Sequence, residues 1–341
     1  MKGRFLPLLV AGLVLASSTV GMPADRAREA PVVTASRIPL YADNPMERRA
    51  GQLVYRGGLV LRSGRREFGG WSDLAVSADG SELLAISDQG HWLGAHLSYD
   101  PNGDLAGISD GEIAPMLDAA GRPLRGLESD SEGLTLERAG DVHGTVAVSF
   151  EHHVRISRYD LSKGFGARPT NVPIGNWVDV LHTNKQLEAV TLWHPDTLIA
   201  FAEAKVNPGD DLLAAMEAYP NEGGEPMTRM LSVVPHDPFA ITSVANAPDG
   251  GLYLLERRFS LLGGMGMELR HIPADEIRPG ARLNGEVIAN LSYQNANIDN
   301  MEGLALRRGP KGEIFLYMIS DDNYLPIQRT LLLMFEVRGG N

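Results

Sequence analysis

The 341-residue sequence contains no cysteine, which excludes disulfides, thiolate metal sites and the attachment cysteine of a bacterial lipoprotein. It is also short of positive charge. Its 31 Lys plus Arg stand against 43 Asp plus Glu, a formal net charge of -12, so no general basic field is available to attract nucleic acid. Cations and small ligands are the expected partners, and no feature points to a particular protein partner. The HExxH, P-loop, Rossmann-glycine and RHG patterns are missing as well. "GISDG" at 107–111 has the spacing of a nucleophile elbow around Ser109 but lacks the buried strand and following helix that make such a serine reactive. "DPNGDLAGISDG" at 100–111 begins like a calcium loop, yet Leu105 and Gly111 stand where the turn glycine and bidentate glutamate belong, so it reads as a hairpin turn.

Long apolar runs are confined to the first residues. "MKGRFLPLLVAGLVLASSTVG" sets Lys2 and Arg4 before an apolar stretch, Phe5 to Ala16, and then small residues. That is the layout of a signal peptide over 1–21, and the stretch falls well short of the roughly 20 residues that cross a bilayer. The expectation is an exported chain, periplasmic or secreted, with no membrane attachment after cleavage. Residues 22–49 form an N-terminal segment and 50–341 a single domain. Hydrophobic residues make up 43% of the sequence, enough to build a full core without disulfides.

Five segments share one order: an acid or hydroxyl, an apolar strand, a polar or glycine-bearing turn, a second apolar strand, and an acid. They are "WSDLAVSADGSELLAISDQG" (71–90), "DSEGLTLERAGDVHGTVAVSFEHH" (130–153), "NKQLEAVTLWHPDTLIAFAEAK" (184–205), "PFAITSVANAPDGGLYLLERR" (238–258) and "IDNMEGLALRRGPKGEIFLYMISDDN" (298–323). Aligned on Leu74, Leu134, Val190, Val244 and Leu304, they repeat somewhat above every 50 residues, the period of a four-stranded propeller blade. Extended stretches such as "WLGAHLSYD", "VRISRYDL", "MELRHIPA" and "RTLLLMFEV" supply further strands. A helical interruption is expected at "GDDLLAAMEAYP" (209–220). The fold class is therefore all-β, a β-propeller of five blades, with a sixth left open from 31–67 or 206–236. The last repeat lacks one strand, and "GQLVYRGGLVLRS" (51–63) could supply it, closing the ring between N- and C-terminal strands. A β-sandwich is the alternative.

Because paired strands one and two are antiparallel, the start of the first and the end of the second lie at one end of each sheet. Two positions before the aligned residue stand Ser72, Glu132, Glu188, Thr242 and Glu302; closing the second strand are Asp88, Glu151, Glu203, Glu256 and Asp321, with Asp322 beside the last. These acids are expected on one rim around the axis. Two carboxylates about 5 Å apart repel by about 3 kcal/mol at an effective dielectric near 20, so the rim calls for protons, cations or basic neighbours. Hard oxygen donors suit Ca²⁺, or Mg²⁺, with Asn184, Asn300 and Asn323 as added carbonyl ligands. The expected metal set is Asp88, Glu132, Glu188, Glu203, Glu256, Glu302, Asp321 and Asp322. Lys205, Arg258 and Arg329 would engage an anionic group, and Glu151 or His152 would move protons. For any single acid, an ordinary structural ion pair is the competing account.

The ordered set "DSEGLTL", "QLEAVTL", "NMEGLAL", "AISDQG", "SFEHH", "LLERRFS" and "MISDDN" resembles the bacterial phytase-like domain family, described as carrying an esterase-like activity of phytase, over roughly residues 50–338. The resemblance implies an exported β-propeller whose recurrent acids form a phosphoesterase site. Ser72 and Thr242 interrupt the glutamate series. The expected function is metal-assisted hydrolysis of a small phosphate ester; the alternatives are a non-catalytic periplasmic binding or scaffold propeller with structural calcium, and a lactonase-like hydrolase.

Overall fold

A computed structural model describes residues 32–181, 187–219, 225–260 and 263–338. The expected leader and Asn184 lie outside the described residues.

Five small antiparallel sheets follow one another along the chain, each beginning with one of the repeated hairpins. Blade 1 is formed by Trp71–Val76, Glu82–Ser87, His91–Tyr99 and Leu105–Pro115. Blade 2 comprises Ser131–Leu136, Thr145–Phe150, Arg155–Asp160 and Thr170–Val172. Blade 3 comprises Leu187–His194, Thr197–Lys205, Leu212–Ala218 and Met227–Val233, edged by the parallel pair Arg282–Leu283. Blade 4 is Ala240–Asn246, Leu252–Ser260, Gly264–Ile272 and Glu286–Ser292. Blade 5 takes Asn300–Arg308, Ile314–Asp321 and Thr330–Val337 from the end of the chain, and Leu53–Arg62 from its beginning. The last two pair antiparallel, Thr330 with Leu61 through Val337 with Leu53, so the ring closes between the chain's ends as expected.

Two expectations are corrected. The segment expected to be helical is strand Leu212–Ala218, because its apolar residues alternate across a sheet with both faces covered. The stretches left open for a sixth blade are absorbed: 212–218 and 227–233 complete blade 3, while Leu53–Arg62 completes blade 5 and Thr34–Arg37 pairs along its outer edge.

Five apolar clusters fill the five seams between neighbouring blades. Leu74, Leu61, Tyr317 and Leu332 pack between blades 5 and 1; Ile86, Trp92, Leu134 and Val148 pack between blades 1 and 2. Val190 with Ala147, Val244 with Ile199, and Leu304 with Leu255 lie in the remaining three. The aligned residues of the repeat are thus seam residues. Burial on both faces explains near-continuous runs such as "TLIAFA" and "IFLYMIS".

Every innermost strand carries a β-bulge at the same place. Pairing skips Ser72 between Trp71 and Asp73, Glu188 between Leu187 and Ala189, Thr242 between Ile241 and Ser243, and Glu302 between Met301 and Gly303. In blade 2 the skip falls between Ser131 and Leu134, where Glu132 stands. A bulge re-aims one side chain out of the pleat. Here it turns Ser72, Glu132, Glu188 and Glu302 towards the mouth of the channel.

Just past the bulge the inner strands approach one another so closely that small residues are needed. A Cβ on Gly303 would lie 2.7 Å from Asp73 Cα, and one on Gly133 would lie 2.8 Å from Val190 N. The equivalent position in blade 1 holds Asp73, which is 1% exposed. Its carboxylate accepts from Leu74 N at 2.9 Å, Leu134 N at 2.7 Å, Ser243 Oγ at 2.9 Å and Leu304 N at 3.1 Å, tying the inner strands of four blades at the axis.

Candidate functional site

Above Asp73 the channel opens into a cavity of about 200 Å³ lined by residues from all five blades. The bulges deliver Ser72, Glu132, Glu188 and Glu302; the ends of the second strands deliver Asp88, Glu151, Glu203, Arg257 and Asp321; Asp130 and Asn323 complete the wall. Thr242 does not reach it: its hydroxyl lies 3.4 Å from both Leu255 O and Met301 O. Glu151, Glu188 and Glu203 each offer an oxygen, all within 4.8 Å of one another, and all three side chains are buried.

The register explains where the fourth repeat departs. Residues opposite the strand start are Ser87, Phe150, Ala202, Glu256 and Ser320, paired with Trp71, Ser131, Leu187, Ile241 and Met301. The pocket column is one residue further on, which in blade 4 is Arg257 rather than Glu256. Glu256 faces the other way, fully buried, with Oε1 accepting from Arg270 Nη2 at 2.6 Å. Arg270 also donates to Val234 O at 3.0 Å and Asn284 O at 2.9 Å, so Glu256 belongs to a structural ion pair.

Burial dominates the electrostatics. It raises the Glu302 carboxyl to about 8, and Asp321 adds to the rise while Arg257 opposes it. Asp88 is pushed up to about 7 by burial and by Asp321 and Asp130, and Asp321 to about 6 by burial with Asp322 adding to the rise. Glu132 and Glu188 are held well above the usual carboxylate range, first by burial and then by neighbouring carboxylates. Arg257 compensates in part: its Nε lies 2.8 Å from Glu302 Oε1 and its Nη2 lies 3.6 Å from Glu203 Oε1. The carboxylates beside it raise its pKa still further, so it stays charged.

The other expected residues stand around this pocket or away from it. His152 Nδ1 bonds Asp130 Oδ2 and lies 3.5 Å from Glu151 Oε2. Asp322 props the wall, accepting from Gly70 N at 3.2 Å and Thr330 Oγ1 at 3.1 Å. Lys205 is paired with Asp237, the Arg258 guanidinium sits 5.6 Å from the Phe239 ring centre, and Arg329 donates to Asp299 at 3.3 Å. None of these three lines the cavity. Asp73 and Asp130 were not expected in the site, and Arg257 was expected only as one of the basic residues that follow the closing acids. The only sequence signal was indirect, in that Asp130 opens "DSEGLTL" and Arg257 directly follows the closing acid.

The donor set fits a hard cation. All the lining ligands are oxygens, three converge, and Asp88 Oδ1 is buried with no hydrogen-bond partner among the described residues. Fold and site together define a five-bladed propeller with an acidic axial pocket. The model of the phytase-like family, described as "Esterase-like activity of phytase", matches residues 66–324, and the chain belongs to that family. No curated protein matches the chain. Among solved structures it is similar to the β-propeller domain of Myceliophteria thermophila Cps50 (Swd1), at 11% identity and a TM-score of 0.38, over 88% of this chain and 99% of that one.

Proposed function

We propose that this propeller is a cation-assisted hydrolase acting on a small phosphate ester at the axial pocket. The observation that carries the reading is the convergence of Glu151, Glu188 and Glu203, from two blades, into a wall to which blades 1 and 5 add further acids and blade 4 adds Arg257. These three would hold a divalent cation, with Asp88, Glu132, Glu302 and Asp321 around it. Calcium is the ion we favour and magnesium the alternative, since every donor is a hard oxygen. Such an ion, when bound, would neutralise the carboxylates and stabilise charge developing on a phosphoryl group.

The chain's own residues set the rest. Arg257 is the cationic side chain among the lining residues and is oriented by Glu302, which suits it to bind an anionic group entering the pocket. His152, held by Asp130 at the rim and close to Glu151, is placed to carry a proton between pocket and solvent. The leader-like N-terminus supports export to the periplasm or medium.

One observation favours a second reading. Arg257 is already engaged by Glu302 and approaches Glu203, which also suits a binding propeller with structural calcium, or a lactonase-like enzyme with an uncharged ester. Assay of the purified chain against phosphate monoesters, diesters and lactones, with calcium, with magnesium and with chelator, separates the three. Cation-dependent turnover of phosphate esters is expected. Turnover of no ester or lactone by folded, cation-loaded protein would remove the enzyme reading.

A further inference from the structure

Beside the acidic pocket, on the same rim, lies a larger groove of opposite character with a volume of about 820 Å³. Its charged rim is Arg65, Arg66 and Arg125, with Glu67 as the lining acid, and its walls include Ile113, Pro115, Pro123 and Leu124. Groove and pocket share their partition. Gln89, Ser129 and Tyr324 line the groove, and their chain neighbours Asp88, Asp130 and Asn323 line the pocket.

That partition is strained in a way that needs support. Asn323 and Tyr324 both adopt left-handed backbone conformations, φ 46° and 52°, which side-chain-bearing residues rarely take. They are held there by Asp321 Oδ1 accepting from Asn323 N at 2.6 Å and by Asp322 Oδ1 accepting from Tyr324 N at 3.1 Å. The Tyr324 hydroxyl also donates to Gly69 O at 3.1 Å. The two consecutive residues thereby serve different compartments, Asn323 the pocket and Tyr324 the groove.

We infer that the groove holds the body of the ester, and that this body is a ring-sized, weakly polar group carrying its own acidic substituent. The inference rests on the hydrolase reading above. A pocket of about 200 Å³ has room for little beyond one cation and a phosphoryl-sized group, so the remainder of any substrate must lie outside it. The adjoining volume falls within the usual range for small-molecule sites, roughly 300 to 1,000 Å³. Ile113, Pro115, Pro123 and Leu124 offer apolar contact while Gln89, His91 and Ser129 offer uncharged polar contact, which together select a weakly polar body rather than one covered in charges. The guanidiniums of Arg65 and Arg125, which make no ion pair among the described residues, select an anion on that body. Arg66 is turned to Glu67 at 3.3 Å and remains almost wholly exposed, so the other two arginines are the principal anchors.

Adenosine 5′-monophosphate serves as the probe, with adenosine (body alone) and tripolyphosphate (charge alone) as comparisons. Binding to the cation-free protein is followed by calorimetry, so that turnover plays no part and the acidic pocket repels the probe. The nucleotide is expected to bind at least tenfold more tightly than either comparison and to weaken as salt is raised. An Arg65→Ala/Arg125→Ala double variant, whose lost side chains are exposed and leave the melting temperature in place, is expected to bind it at least tenfold more weakly. Failure of the nucleotide to bind, equal binding by the double variant, or tripolyphosphate binding as tightly as the nucleotide would each overturn the inference. Nucleotide binding that depends on the two arginines, in a protein that hydrolyses no ester, would instead sink the hydrolase reading and leave the groove as an anion site.

Discussion

Arg257 of blade 4 donates from Nε to Glu302 Oε2 of blade 5 at 2.9 Å, within a cavity otherwise walled by acids and small polar residues. Replacing it should separate two roles that the pocket combines. In Arg257→Gln, loss of the positive charge should tighten calcium binding, because a like charge has left the site. Turnover of phosphate esters should fall by about a hundredfold or more, because the group stabilising the anion is gone. Calorimetry and kcat/KM on the same preparation check the pair of outcomes; unchanged turnover would take Arg257 out of anion binding.

A pH effect follows from the raised carboxyls. Glu302 at about 8, Asp88 at about 7 and Asp321 at about 6 all exceed their unfolded values near 4, so the folded chain binds more protons than the unfolded one. The stability this provides is fully present below about pH 4 and is lost as pH rises through about 6 to 8. Cation-free protein should therefore be less stable at pH 8 than at pH 5, by about 1.4 kcal/mol per pH unit for each group titrating independently. Urea denaturation in chelator at the two pH values measures the difference, and added calcium should restore stability at pH 8.

Glu256 should behave as a structural residue. Glu256→Ala leaves the fully buried Arg270 without its carboxylate and should lower stability by about 3 to 5 kcal/mol. Calcium affinity of the folded fraction should stay at the wild-type value. A selective loss of calcium binding with stability intact would place Glu256 in the cation site instead.

Asp73→Asn tests the axial tie. An amide keeps the shape but replaces one acceptor oxygen by a donor facing backbone N–H groups or the Ser243 hydroxyl, so stability should drop by about 2 kcal/mol or more. Thermal melting of the variant gives the answer directly, and an unchanged midpoint would show that the inner strands hold together without it.

Most of the fold was legible in the sequence. The spacing of Leu74, Leu134, Val190, Val244 and Leu304 marks one seam residue per blade, since every inner strand must bury the same face against its neighbour. Ring closure was legible too, because a final hairpin lacking a partner strand matched an early one without its own blade. The pocket was harder to read. Side chains alternate along a strand, so of Glu256 and Arg257 only one can point inward. Which one does so depends on pairing register, and turns of unequal length hide that register. The bulge column was found by position, but that its members are skipped in the pairing, with Ser72, Glu132, Glu188 and Glu302 turned into the channel mouth, is a property of hydrogen bonding that no residue type announces. Asp73 was hidden for a related reason: its place in the repeat is filled by Gly133, Ala189, Ser243 and Gly303, and only the crowding at the axis makes its carboxylate a tie between strands.

The central claim, that acids from separate blades form one cation site, is tested most directly by calcium titration of chelator-treated protein, wild type beside a Glu188→Gln/Glu203→Gln variant. Saturable binding with a rise in melting temperature is predicted for the wild type, weakened at least tenfold in the variant, while the cation-free variant melts at or above the cation-free wild type. No binding by the wild type, or equal affinity in the two proteins, would contradict it.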